Sequence, residues 1–172
     1  MATEDRDSSG TRIFAADTSE RLEDARLLFL EYESYLGLDL SFQDFDREVR
    51  NLPGEYGPPG GAILIAYPKG RAAGCVALKS LGEGICEMKR LYVRPEYRGM
   101  GLGRALSESI IRRARRMGYS RMRLDTLSSL REAMGLYESM GFQRVEPYYD
   151  NPLPDVVYWE LDLVKPEKDS EH

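Results

Sequence analysis

The chain has 172 residues, 42% of them hydrophobic, with a net charge of -5 and a pI near 5.1. That length suits one domain with a sizeable core. The acidic balance argues against a general nucleic-acid binder, and no apolar run reaches the roughly 18 residues a membrane span requires.

Residues 1–9 are polar and charged, and a disordered tail is expected there, with a second over 165–172 and one domain between, over 10–164. The first residues lack a basic stretch followed by an apolar one, so no secretory signal is read and a cytoplasmic location is expected. Arg12–Ala16 reads as a strand. Asp17 or Thr18 can cap the helix that follows. Leu22, Ala25, Leu28, Phe29, Tyr32 and Leu36 recur at helical spacing, and Gly37 can stop it. Ser41 with Asp44 three residues on resembles a capping box, which predicts a second helix with Phe42, Phe45 and Val49 on one face. The Gly- and Pro-rich run 53–61 is a loop.

Ala62–Tyr67 and Ala72–Leu78 form a predicted hairpin about Pro68-Lys69-Gly70. The next strand, the fourth, covers Ile85 to Val93. A Pro-containing turn then leads into Arg98-Gly99-Met100-Gly101-Leu102-Gly103-Arg104 and a helix over about 103–117, closed by Gly118. A strand near 120–126, a helix near 129–140, and strands near 142–148 and 156–163 complete the order.

The glycine loop carries the most chemistry. Glycines at 99, 101 and 103 remove side chains that would hold a phosphate away from the main chain. A helix beginning there aims free N–H groups and a positive dipole end at an anion. A nucleotide-triphosphate loop would need Lys and a hydroxyl after its last glycine, and Arg104-Ala105 supply neither. A dinucleotide loop would need Gly-x-Gly-x-x-Gly, and here the third glycine comes one residue early. The pattern Arg-x-x-Gly-x-Gly after a strand is met at every fixed position.

A second signature follows in Ala133-Met-Gly-Leu136-Tyr137-Glu-Ser-Met-Gly141-Phe142. With both in this order, the chain resembles the GNAT superfamily of acetyl-CoA-dependent N-acetyltransferases, over roughly residues 62–163. The resemblance implies an α/β (α+β) acyltransferase fold: a mixed, mostly antiparallel sheet of about seven strands with about four helices, splayed between the fourth and fifth strands. It implies acetyl-CoA as co-substrate. The pantetheine arm would run along the main chain of Leu91, Tyr92 and Val93, and the pyrophosphate would lie over Arg98, Gly99, Met100, Gly101, Leu102, Gly103 and Arg104. A main-chain N–H near Val93 would stabilise the oxyanion. One departure is Leu130, where many relatives carry an asparagine.

For catalysis the resemblance points to Tyr137 as the acid that protonates the departing sulfur. It points to Glu87 or Asp125 as the base that frees the amine. Each has a plainer alternative: packing for Tyr137, a solvent-face pair with Lys89 or Arg123 for Glu87, and a turn bond for Asp125. Tyr92, Tyr148 and Tyr149 are candidates for the acceptor cleft. The one histidine is the terminal His172, so imidazole-based nucleophilic schemes find no partner in the expected domain. Cys75 and Cys86 read as buried free thiols, and nothing near them completes a metal site.

The expected activity is direct transfer of acetyl from acetyl-CoA to a primary amine within a ternary complex. A CoA-binding module without turnover is the alternative. The acceptor is a small molecule or a peptide amine, and acidic Glu31, Glu33, Asp39 and Asp44 are candidates to attract it. Arg112, Arg113, Arg115 and Arg116 suit a helix C-terminus better than a nucleic-acid surface. No membrane partner is expected, and a homodimer that exchanges the final strand is compatible with the sequence.

Overall fold

The computed structural model describes residues 4–6 and 10–164. Among these, eight strands form one sheet: β1 (Glu4–Arg6), β2 (Arg12–Ala15), β3 (Ala62–Tyr67), β4 (Gly74–Gly82), β5 (Ile85–Val93), β6 (Arg121–Leu127), β7 (Gln143–Val145) and β8 (Val156–Asp162). Their spatial order is β1-β2-β3-β4-β5-β6-β8-β7. All neighbours are antiparallel except β5 and β6. The strand counted fourth in the sequence is therefore β5, because β1 precedes it. This corrects part of the expected tail over 1–9: Glu4–Arg6 pairs with Phe14–Arg12, covering an edge that β2 would otherwise expose. The tail expected over 165–172 lies outside the described residues.

Four α-helices cover the sheet: α1 (Ser19–Leu36), α2 (Phe45–Arg50), α3 (Leu102–Arg116) and α4 (Arg131–Ser139). Thr18 caps α1 by accepting from the Arg21 amide, and Gly37 closes it at φ 65°, the left-handed geometry a helix stop favours. The capping box expected at Ser41 does not form. Ser41–Gln43 make a single 3-10 turn, and α2 begins only after Asp44, itself at φ 56°. Asp39 takes the Ser41 amide instead, at 2.8 Å. The strand expected over 142–148 stops at Val145, since Pro147 has no N–H to give the ladder.

The sheet separates two cores. Leu102, Leu106, Ile110 and Ala114 of α3 and Tyr137 of α4 pack on one face against Val76, Leu78, Met88, Met122 and Leu124. Ala25, Leu28 and Phe29 of α1 and Phe45 and Val49 of α2 pack on the other against Ile63, Ile65, Cys75, Ala77 and Tyr92. The alternation of side chains along each strand divides them between the two.

Two departures from regular pairing shape the centre of the sheet. β5 and β6 pair only at Ile85–Arg121, Cys86–Met122 and Glu87–Arg123. Beyond Glu87, β5 continues six residues and β6 continues four beyond Arg123, so the two strands part and a gap opens through the sheet. Against β4, the register of β5 slips by one residue between Tyr92 and Lys89. This is a β-bulge with Arg90 at φ 60°, and it places consecutive residues Lys89 and Arg90 on the same sheet face.

Candidate active site

The gap between β5 and β6 is a cleft lined by Met88–Leu91 on one side and Leu124–Leu127 on the other. Tyr137 closes it from the α3–α4 face. Tyr32 and Gln43 border it on the α1–α2 face, and Asn151 enters from the segment between β7 and β8. The parting leaves main-chain groups of β5 without a strand partner on the β6 side, the arrangement an extended ligand can complete.

The loop after β5 leads to this gap. Pro95–Tyr97 make a 3-10 turn. Gly99 and Gly101 follow at φ 80° and 77°, and Gly101 stands at the cap of α3 with no side chain bonded to the first-turn amides. Those left-handed positions are costly for any residue with a Cβ. The N–H groups of the first helical turn, from Leu102 through Arg104, are therefore open to an anion. Met100 is exposed, Gly103 is half-buried, and Leu102 is buried in the core. Arg98 and Arg104 are turned to the protein: Arg98 Nε donates to the Val93 carbonyl, with its guanidinium 4.4 Å from the Tyr35 ring centre, and Arg104 donates to Ser139 Oγ at 2.8 Å.

Leu91 lines the cleft. Leu91 and Val93 face the core beneath α3, while Tyr92 packs against Tyr32 and Tyr35 under α1.

Tyr137 lines the cleft and is 6% exposed. Among the described residues no hydrogen bond engages its phenol, and its ring packs on Phe142 and Trp159. Burial pushes the phenol well above its ordinary range, with Tyr32 and Asp125 adding to the effect, so the group keeps its proton.

The two carboxylates are held differently. Asp125 lines the cleft and accepts bonds from the Tyr149 hydroxyl and from Asn151 Nδ2 at 3.1 Å. It does not bond the turn that follows β6. Glu87 is buried rather than on a solvent face, accepts from Tyr148 at 2.6 Å, and lies 3.6 Å from Lys89 and 3.9 Å from Lys79. It stands behind the cleft wall, not on it. Arg123 pairs with Glu160 and covers the Tyr148 ring. Tyr148, Tyr149 and Tyr158 form one mutually packed aromatic group that carries both phenols to the two carboxylates.

Of the acidic residues expected near the acceptor, Glu31 pairs with Arg94 and Asp39 holds the Ser41 amide. None of Glu31, Glu33, Asp39 and Asp44 is among the residues lining the cleft.

Sequence reasoning missed Lys89, Arg90 and Glu48. Arg90 is 4% exposed and forks onto Glu48 at 2.9 and 3.0 Å, and Glu48 also accepts from Tyr56. The Arg90 guanidinium lies 5.0 Å from the Phe45 ring centre. Lys89 donates to Gln43 Oε1 at 3.2 Å, and burial and neighbouring Arg90 lower its proton affinity. Two adjacent cations, Lys89 and Arg90, inside a largely apolar strand that also carries Glu87 were the available signal.

Among the described residues no group of three His, Cys, Asp or Glu side chains could hold a metal ion, and no helix is long and apolar enough to cross a membrane. Arg112 bonds Ser109, and Arg115 bonds the Leu163 carbonyl.

Residues 22–142 match the model of the acetyltransferase (GNAT) family. An uncharacterised N-acetyltransferase of Schizosaccharomyces pombe is 48% identical over 159 residues, covering 91% of this chain and 98% of that protein. The crystal structure of a putative acyl-CoA N-acyltransferase from Klebsiella pneumoniae superimposes with a TM-score of 0.70 at 29% identity, over 89% of this chain and 97% of that one. A GNAT family acetyltransferase from Elizabethkingia anophelis, solved with acetyl-CoA bound, shares the fold at a TM-score of 0.53 and 20% identity, over 60% of this chain and 76% of its own.

Proposed function

We propose, for a chain that belongs to the GNAT family of acetyltransferases, that it moves acetyl from acetyl-CoA to a primary amine by direct attack, both substrates being bound together. The family's general activity is acetyl-CoA-dependent acetyl transfer, and the chain is an acyltransferase. The observation that carries the finer reading is the parting of β5 and β6 beyond Glu87 and Arg123, with the open first turn of α3 at its mouth.

The residues fit the co-substrate. The amides of Leu102, Gly103 and Arg104, approached past Gly99 and Gly101, would hold its pyrophosphate. The edge of β5 from Leu91 to Val93, which has no strand partner on the β6 side, would pair with its pantetheine amides. Acetyl-CoA supplies an activated acetyl group there. The gap joins the two faces of the sheet, so cofactor and amine can meet from opposite sides.

On the α1–α2 face, Asp125 takes the proton that leaves the amine, and the Tyr149 and Asn151 bonds fix the carboxylate for that task. A main-chain N–H near Val93 donates to the carbonyl oxygen as negative charge builds on it, an effect worth roughly 3 to 4 kcal/mol for a single well-aimed donor. On the opposite face, Tyr137 gives its proton to the departing sulfur and regains one from solvent. Glu87, which accepts from Tyr148, is shared between Lys79 and Lys89 beside the amine site. Direct attack is favoured because both cysteines are buried with thiols pushed up by burial, Cys86 to about 12. Neither is suited to carry the acetyl group as a thiolate.

The test is steady release of free CoA from acetyl-CoA in the presence of a panel of primary amines. Amine-dependent release that Tyr137→Phe suppresses, with acetyl-CoA affinity retained, is the expected result. Full activity in that variant would remove Tyr137 from the reaction.

A further inference from the structure

The cleft has two charged poles. Carrying the β5–β6 register two residues past Glu87–Arg123 sets Lys89 across the open gap from Asp125, on the same face. Both line the cleft. Lys89 is only 9% exposed, and Gln43 orients its ammonium at 3.2 Å. Its nearest carboxylate, Glu87 at 3.6 Å, is shared with Lys79 and also bonded by Tyr148. The bulge adds Arg90 next to Lys89 on this face, and Arg90 is already matched by Glu48. Lys89 thus meets the cleft as a buried cation whose own partner is divided. A simple alkylammonium would be drawn to Asp125 and repelled by Lys89. A molecule with a carboxylate beside its amine would satisfy both.

We infer that the acceptor is an amine bearing a carboxylate close to the amino group, as free amino acids do, with the amine at Asp125 and the carboxylate on Lys89 and Gln43. This rests on the acetyl-transfer reading and names its substrate class. Lys89 is then a specificity-determining residue. Burial and then the neighbouring Arg90 lower the proton affinity of its ammonium despite Glu87 and Asp125, and an acceptor carboxylate would offset that.

The test compares kcat/KM for L-amino acids with their α-amides and with the corresponding decarboxylated amines. The acids are expected to exceed both by roughly thirtyfold or more, the scale of a desolvated charge pair. Lys89→Met should erase that preference with acetyl-CoA affinity unchanged by calorimetry, and Lys89→Arg should restore part of it. If Lys89→Met does not fold, Gln43→Ala should narrow the ratio of kcat/KM for the acids to that for their amides and decarboxylated amines, and an unchanged ratio in that variant would overturn the assignment. Turnover that favours plain amines or polyamines in the wild type, or an equal loss for all acceptors in Lys89→Met, would overturn the assignment and leave acetyl transfer standing. Acetyl-CoA binding with no amine turned over at all would overturn the transfer reading itself, and this one with it.

Discussion

Arg90 grips Glu48 through two parallel bonds, and in doing so ties α2 to the bulge of β5. The Arg90 side chain is 3% exposed and that of Glu48 is 17%. Arg90 holds a left-handed backbone that a non-glycine residue adopts at a cost of roughly 1–3 kcal/mol. The fork, the Tyr56 bond to Glu48 and the Phe45 ring together hold the bulge in place. Glu48→Gln and Arg90→Met are each expected to destabilise the protein by about 3–5 kcal/mol, because each leaves a buried charge unpaired. Urea unfolding of the two single variants and the double variant measures this. The double variant should lose less than the sum of the two.

Tyr137→Phe removes one hydroxyl from a packed site and leaves its ring contacts with Phe142 and Trp159 intact. A fall in kcat of roughly 100- to 10,000-fold is expected, with unfolding stability nearly unchanged. Since burial raises this phenol above its ordinary range, it remains a proton donor through neutral and moderately alkaline pH. The wild-type kcat profile should therefore show no alkaline loss at the ordinary tyrosine value near 10.

Asp125→Asn keeps shape and removes the proposed base. Its kcat/KM is expected to drop by about 100-fold or more at neutral pH. The deficit should shrink as pH rises and solvent, rather than Asp125, deprotonates the amine. A pH profile of the variant against wild type tests the role, since a purely structural role would leave a constant deficit.

How far the molecule was legible depended on the range of the information. The glycine loop and most elements follow from local spacing: φ above zero at Gly99 and Gly101 and the stop at Gly37 are written in single residues. The parting of β5 from β6 followed from the family resemblance, not from residue pattern. The bulge at Arg90 is a slip of register between two strands, and no one-strand periodicity encodes it. The Tyr148–Glu87 and Tyr149–Asp125 bonds join residues 61 and 24 positions apart. Both phenols come from the segment between β7 and β8.

Burial raises the thiols of Cys75 and Cys86, the latter from 9.0 to about 12. A neutral thiol is thus favoured in the fold. Its contribution to stability is complete below pH 9 and is lost as pH climbs toward 12. In the native protein, iodoacetamide at a pH of about 8.5 should leave both cysteines unmodified. Mass spectrometry after alkylation in urea should find both modified.

In the proposed reading, the gap between β5 and β6 and the open first turn of α3 together would seat coenzyme A. Isothermal titration with acetyl-CoA measures that seat. One saturable site is expected, weakened roughly tenfold or more by Gly101→Val, which forces a β-branched residue into a left-handed position at the phosphate loop. Absence of saturable heat in the wild-type protein, or unaltered affinity in a folded Gly101→Val variant, would contradict it.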